Sequence, residues 1–145
     1  MTQLALGLAL MAVAVAIHLV GGLAAIRWLR RTVGEPKEQT FLRSLWLLVQ
    51  LFAALLVLHL MQVSLWAGLY AWSIGWDFNT ALYFSTVTYA TIGYGDVVPP
   101  PEWRLVAVTE GLTGVLMLGW SSAIIFAVVV RVFDIARQTE DIRRG

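Results

Sequence analysis

The stretch Thr91-Ile92-Gly93-Tyr94-Gly95-Asp96 lies between two long apolar segments, and it decides the predicted fold. Its two glycines alternate with larger residues. Successive carbonyl groups point the same way only when the backbone alternates between ordinary and left-handed dihedrals, and glycine adopts the left-handed region at little steric cost. We therefore expect an extended strand whose carbonyl oxygens face one side. Such a row of oxygens can replace the water shell of a dehydrated cation.

The amino-acid composition is that of a membrane protein. Of the 145 residues, 59% are hydrophobic and only 13% are charged, and the mean hydropathy is strongly positive. Soluble domains of this size are rarely so apolar. The net charge of +1 excludes the broad basic field of nucleic-acid-binding proteins, so no nucleic acid is expected as a partner. The absence of cysteine excludes disulfides and thiolate metal sites.

Three apolar segments are long enough to cross a bilayer, whose hydrocarbon core of about 30 Å needs roughly 20 helical residues. We expect these spans at about residues 4–26, 45–72 and 105–132. The first is expected to remain as a span rather than act as a cleaved signal peptide. No basic residue precedes it, and it is longer than a usual signal core.

Between the second and third spans, residues 77–90 are too short to cross the membrane. They begin with Asp77, Asn79 and Thr80, which are suitable helix N-caps, and continue with apolar residues, so we predict a short buried helix. Followed by the stretch 91–96, this helix forms a re-entrant loop, which is tolerated where protein or water covers its backbone. The predicted fold class is an all-α membrane protein with three transmembrane helices plus a re-entrant helix and loop.

Basic residues predict the orientation in the membrane, because cytoplasmic loops are enriched in Lys and Arg. Nine of the ten lie on one side of a three-span arrangement, and only Arg104 lies elsewhere. The nine are Arg27, Arg30, Arg31, Lys37, Arg43, Arg131, Arg137, Arg143 and Arg144. We therefore expect the amino terminus and the loop 91–96 outside and the carboxyl terminus in the cytoplasm.

Residues 44–133 resemble the pore of the two-transmembrane, pore-loop potassium-channel family, in which a span, a pore helix, a selectivity filter and a second span follow one another. The match includes Trp103-Arg104-Leu105-Val106-Ala107-Val108, which looks like the start of a bacterial channel's inner helix. The whole chain is similar to small bacterial three-span members, which implies the inner cell membrane. The resemblance divides the chain into an extra N-terminal span with a basic cytoplasmic connection (1–43), a pore domain (44–133) and a short cytoplasmic tail (134–145). Within the pore domain it implies a pore helix (77–90), a filter (91–96) and an inner helix (103–133).

The resemblance also implies roles for the filter residues. The backbone carbonyls of Thr91, Ile92, Gly93 and Tyr94 would form the potassium sites, and the Thr91 hydroxyl would complete the innermost one. Gly95 would close the outer turn, while the Tyr94 side chain would point away from the ions and pack against the pore helices. Potassium is the permeant ion, and no cofactor is expected.

At the outer mouth, the sequence departs from the family pattern. Asp96 is expected there, where a negative charge raises the local cation concentration. Many potassium channels carry a Trp pair at the positions of Tyr83 and Phe84, and some carry an acidic residue at the position of Val87. The Phe84 side chain cannot donate a hydrogen bond to Tyr94, and the Val87 side chain cannot share a proton with Asp96, so Tyr83 is the expected partner of Asp96.

The third span contains a glycine and an apolar stripe that suggest functional roles. Gly114 lies where many channels keep a hinge, and close helix packing is an equally good explanation. Five residues at helical spacing share a face that is predicted to line the cavity, with ordinary helix packing as the alternative. They are Val115, Leu118, Ser122, Phe126 and Val130. Phe126 is the candidate for an apolar constriction that gates by dewetting.

Three ionisable residues lie inside the spans, where they are functional candidates by default. His18 and His59 are best explained by hydrogen bonds between helices, and Gln62 shares a helix face with His59. Glu110 is expected to pair with Arg104, His59 or a backbone amide. A proton-sensing role for His59 or Glu110 is a second hypothesis.

One chain supplies one filter strand, and four are needed around an ion, so the resemblance implies a homotetramer. The function it implies is passive, potassium-selective conduction. Alternatives are a non-conducting or regulatory subunit of a channel assembly and a subunit of a potassium uptake transporter. An enzyme is not expected, since no nucleophile elbow or metal-binding histidine pair occurs. The first span lacks the arginine row of a voltage sensor, so regulation by lipid or by an unknown subunit stays open.

Overall fold

The computed structural model describes residues 2–32 and 41–144, and every regular element within these ranges is helical. Helix α1 spans Thr2–Thr32, α2 Phe41–Ile74, α3 Phe78–Tyr89 and α4 Arg104–Arg144, with a short 3-10 turn at Pro101–Trp103 before α4. Three stretches are apolar and long enough to cross a membrane, namely Thr2–Trp28, Leu42–Ile74 and Pro101–Arg131. For the described residues, the predicted all-α class with three helices apolar enough to span a membrane is confirmed. Lys37, in the predicted cytoplasmic connection, lies outside the described residues.

The short helix predicted over residues 77–90 is present as α3. Of the three candidate N-caps, Asp77 takes the role: its carboxylate Oδ1 accepts hydrogen bonds from the backbone amides of Asn79 and Thr80, at 3.0 and 3.1 Å. These bonds satisfy two of the amides that a helix start leaves without partners. Interactions with Thr80 contribute most to holding the pKa of Asp77 below its ordinary value. The helix ends at Tyr89, and the amide of the C-cap residue Ala90 donates to the Thr86 carbonyl.

Helix α3 packs between α2 and α4, and α1 packs against α4 and α2. An aromatic cluster fixes the middle of α3. The ring of Phe84 meets Tyr70 edge to face at 5.1 Å between centroids, and it meets Trp76 in the same way at 5.3 Å. Edge-to-face pairs of this kind contribute about 0.5–1.5 kcal/mol beyond the burial of their area. Phe84, which cannot hydrogen-bond to the filter region, therefore stabilises α3 by packing.

Small residues allow α1 to approach its neighbours closely. A Cβ added at Gly7 would crowd the Thr109 side chain of α4, and one at Gly22 would lie 3.5 Å from Ile124. Close approach through glycine increases the van der Waals contact that drives helix association in membranes. The first helix is therefore packed along α4.

Candidate functional site

Hydrogen bonds tie the beginning of the stretch 91–96, which is predicted to be a filter and is called the filter stretch below, back to the end of α3. The Thr91 amide donates to the Thr88 carbonyl at 3.0 Å, and the amides of Ile92 and Gly93 donate to the Val87 carbonyl at 2.9 and 3.3 Å. In a trans peptide unit the carbonyl points opposite to the following N–H. The carbonyls of Thr91 and Ile92 therefore point away from α3, because the amides that follow them point towards it.

The backbone of the filter stretch alternates in sign of φ. Thr91, Gly93 and Gly95 have φ of 59°, 60° and 78°, and the residues between them do not have positive φ. The alternation predicted from Gly93 and Gly95 is confirmed, and it begins two residues before Gly93, at Thr91. A β-branched residue in the left-handed region is a genuine outlier that costs about 1–2 kcal/mol. Such strain persists only where the surroundings hold it, and here the hydrogen bonds to α3 do so.

The hydrogen bond predicted between Tyr83 and Asp96 is present at the far end of the stretch. The Tyr83 hydroxyl donates to Asp96 Oδ2 at 2.7 Å, and both side chains are exposed in the single chain. This bond is the main reason that the pKa of Asp96 lies below its ordinary value. The pKa of Tyr83 is correspondingly raised. The carboxylate of Asp96 is thus held in its charged form.

Helix α4 crosses the carboxyl end of α3 at Gly114. A Cβ at this glycine would overlap the backbone carbonyl of Tyr89, whereas one at Gly111 would lie at an ordinary 3.7 Å from the Thr88 carbonyl. Close packing, one of the two roles predicted for Gly114, is therefore confirmed. The hinge role stays a prediction.

The five residues predicted to line a cavity share the property of being exposed in the single chain. They are Val115, Leu118, Ser122, Phe126 and Val130. Phe126, with 71% of its surface accessible, is among the most exposed of the large apolar residues. None of the five is buried among the described helices, so the face is available for a cavity, a neighbouring subunit or lipid.

Glu110 has a partner other than those expected. Its Oε2 accepts a hydrogen bond from the Tyr70 hydroxyl at 2.9 Å, deep in the interior, so the predicted pairing with Arg104 or His59 is wrong. Arg104 is exposed at the start of α4. His59 forms hydrogen bonds with Tyr89 and Ser121 instead. Tyr70 belongs to α2 and faces Glu110 of α4.

Both histidines make the interhelical hydrogen bonds that the sequence predicted. His18 bonds to Gln62 and Ser121. His59 bonds to Tyr89 and Ser121. His18 thereby joins α1 to α2 and α4, and His59 joins α2 to α3 and α4. Proton sensing stays a hypothesis.

Comparison with known proteins identifies the family. A family model described as "Ion channel" matches residues 44–131. A curated relative, the TWiK family of potassium channels protein 18 of Caenorhabditis elegans, is 38% identical over 47 residues, which cover 32% of this chain and 10% of that protein. The match thus spans about a tenth of the relative's length. No solved structure matches. Because the family model covers more than half of a chain with three membrane-spanning helices, this multi-pass membrane protein belongs to the ion-channel family.

Proposed function

We propose that the chain is one subunit of a potassium-selective channel that conducts passively. The observation that carries this proposal is the alternating φ at Thr91, Gly93 and Gly95. With the amides of Ile92 and Gly93 held by α3, the carbonyl oxygens of this stretch are free to face a common axis. A row of such oxygens replaces the hydration shell of a potassium ion. The named function of the TWiK relative supports the same ion.

In this proposal the ion sites are the carbonyls of residues 91–94, and the Thr91 hydroxyl completes the innermost site. The carboxyl end of α3 lies next to Thr91. A helix carries about half a negative charge at this end, which attracts a cation, most strongly where water is scarce. Asp96 keeps a negative charge at the outer mouth, where it raises the local potassium concentration.

Four copies of the chain would complete the pore. One chain offers one row of carbonyls, and Tyr94 has 69% of its surface accessible. Beside it, a crevice of about 300 Å³ is open between α3, the filter stretch and α4, lined by Val87, Thr88 and Val108 among others. In a tetramer this crevice can take a tyrosine side chain of a neighbouring copy. The stripe from Val115 to Val130, with Phe126 as its constriction, would then line the cavity below the filter.

In this proposal the chain lies in the bacterial inner membrane, and the positive-inside rule predicts that the amino terminus and the filter are outside and the carboxyl terminus is in the cytoplasm. Four arginines of the described residues lie at or just beyond those ends of the apolar stretches that this orientation assigns to the cytoplasm. They are Arg27 and Arg31 of α1, Arg43 of α2 and Arg131 of α4. Lipid or an additional subunit could regulate the channel.

Flux measurements on the purified chain in liposomes test the proposal. We expect potassium flux to exceed sodium flux by more than about tenfold, which corresponds to a barrier difference of about 1.4 kcal/mol. Liposomes without protein are the control, and cross-linking in the same membranes should give a tetramer. Equal flux of the two ions would refute selectivity. A folded chain without flux would favour the non-conducting, regulatory subunit.

The hydrogen bond from Tyr83 to Asp96 gives a prediction about inactivation. Tyr83→Phe is expected to accelerate inactivation at the outer mouth severalfold, because the Asp96 carboxylate loses its donor at 2.7 Å. The folded pKa of Asp96 is depressed, so its stabilising contribution is present above the unfolded pKa of about 3.9 and is lost as pH falls through the folded value. Wild-type inactivation should therefore stay constant between about pH 5 and pH 8.

Current decay in planar bilayers provides the measurement. Glu102→Gln is the control, because it removes another exposed acid that follows the filter in the chain. A second arm places Tyr83→Phe in an Asp96→Asn background, where it should add no further effect. Equal decay in wild type and Tyr83→Phe would contradict the link between these two residues.

A further inference from the structure

Five polar side chains from all four helices meet beside the carboxyl end of α3. They are His18 of α1, His59 and Gln62 of α2, Tyr89 of α3 and Ser121 of α4. His59 is partly buried, and the other four side chains are almost fully buried, with at most 5% of their surface accessible. Buried polar groups of this kind are costly unless each one has a partner.

The contacts form a closed ring. Gln62 Nε2 lies 2.9 Å from His18 Nδ1, and His18 Nε2 lies 3.1 Å from Ser121 Oγ. Ser121 Oγ lies 2.9 Å from His59 Nε2, and His59 Nδ1 lies 3.1 Å from the Tyr89 hydroxyl. The Tyr89 hydroxyl donates to Gln62 Oε1, which returns the ring to its starting residue.

The direction of every hydrogen bond follows from one of them. Because Gln62 Oε1 accepts from Tyr89, the amide nitrogen of Gln62 faces His18 Nδ1 as a donor. A neutral imidazole has one donor and one acceptor nitrogen, so His18 carries its proton on Nε2 and donates to Ser121. The Ser121 hydroxyl then donates to His59 Nε2. The proton of His59 therefore lies on Nδ1, which donates to the Tyr89 hydroxyl. With both histidines neutral, their tautomers are opposite, and each link has one donor and one acceptor.

The ring is a polar connection between α1 and the residues that precede the filter. Between Leu4 and Ile26, His18 is the only residue of the first span with a polar side chain. A polar side chain at this depth is expensive unless it is paired. At the opposite side of the ring, Tyr89 is two positions before the strained Thr91, and its backbone carbonyl lies against Gly114. Tyr89 is thus fixed by its hydroxyl through the ring and by its main chain against α4.

We propose that His18 is a positioning residue for the filter, acting through the ring on Tyr89. This inference rests on the proposed function as a selective channel. When the ring is intact, Tyr89 holds the end of α3 in place and Thr91 keeps its positive φ. When the ring is broken, Thr91 relaxes towards an ordinary φ and turns its carbonyl out of the row. The first helix, which the two-span pore does not include, thereby contributes to ion selectivity.

Ser121 is the best position for a test by ion-flux measurement, because its hydroxyl is hydrogen-bonded to both histidines and its side chain is small. Ser121→Ala is expected to lower the ratio of potassium to sodium flux by about tenfold, with the tetramer still assembled. Ser121→Thr returns the hydroxyl and is expected to restore most of the ratio. Gln62→Leu should resemble Ser121→Ala, whereas Gln50→Leu is the matched control, since Gln50 of α2 lines a separate crevice. An assembled Ser121→Ala tetramer with the wild-type ratio would overturn the proposal.

Two further measurements separate this inference from the proposed function. Nitrogen NMR of labelled histidines in the full-length protein reports tautomers without any need for conduction, and we expect Nε2–H at His18 and Nδ1–H at His59. Matching tautomers, or a charged histidine at neutral pH, would exclude the ring. A double-mutant cycle of His18→Leu with Tyr89→Phe should show that the second change adds little to the first. Independent, additive losses of selectivity would refute coupling between α1 and the filter, while a wild-type chain without selective flux would refute the proposed function itself.

Discussion

Gly93→Ala is expected to abolish the preference for potassium over sodium. Gly93 has φ of 60°, and a Cβ there would meet no described atom within 4 Å. The cost is therefore backbone strain, about 1–2 kcal/mol in each copy, rather than overlap. In a tetramer this amounts to roughly 4–8 kcal/mol, which the filter can relieve by rotating the peptide and turning a carbonyl out of the row. The sites for dehydrated potassium are then lost.

The ratio of potassium to sodium flux in liposomes measures this effect. The molecular mass of the purified assembly shows whether the variant still folds and forms a tetramer. Gly68→Ala is the matched control, because the same atom is added in α2 with open space around it in the single chain. Alanine is about 1 kcal/mol more favourable than glycine in a helix, so this variant should conduct as the wild type does. A Gly93→Ala channel with unchanged selectivity would contradict the left-handed backbone at this position.

Local signals in the sequence predicted much of the fold. The length of the apolar runs predicts the three spans, and Asp77 followed by apolar residues predicts α3, since an N-cap acts within a single turn. The alternating glycines predicted a backbone that the structure also has. The link between Tyr83 and Asp96 could be predicted because it joins two residues only 13 positions apart in the chain.

Other features depend on which helices pack against each other, and helix packing could not be predicted from the local sequence pattern. Thr91 has positive φ, although β-branched residues normally avoid it. Its conformation results from hydrogen bonds to α3 rather than from its own preference. Glu110 accepts a hydrogen bond from Tyr70. Tyr70 lies in a long apolar span, and no neighbouring residue in the sequence indicates that its hydroxyl has a polar partner. His18 and Ser121 are 103 positions apart, and their contact exists only because α1 packs against α4.

Gly114→Ala is the second change with a large expected effect, because its new methyl group would overlap the backbone carbonyl of Tyr89. A side chain can swing aside, but a carbonyl at the end of α3 moves only if the helix end moves. Overpacking of this kind costs about 1–3 kcal/mol in one chain, or roughly 4–12 kcal/mol in a tetramer. We expect a lower melting temperature of the assembly, together with loss of potassium selectivity.

Two glycines of the same helix provide the controls. A Cβ at Gly111 would make an ordinary contact at 3.7 Å, and one at Gly119 would meet no described atom within 4 Å. Alanine at either position should keep the melting temperature and the selectivity near wild type. Loss of both properties in Gly111→Ala as well would show that α4 requires glycine for a reason other than contact with α3.

The same variant separates the two roles of Gly114. If the glycine serves as a hinge, alanine stiffens α4 and lowers the fraction of time that the channel is open, while the filter and the assembly stay intact. If it serves packing, the displaced end of α3 carries Thr91 with it, and selectivity falls together with stability. Single-channel recordings give open fraction and ion preference from the same molecule. Because the overlap is with main chain in direct continuity with the filter, we expect selectivity to fall with stability, and a fall in open fraction alone would assign Gly114 to the hinge.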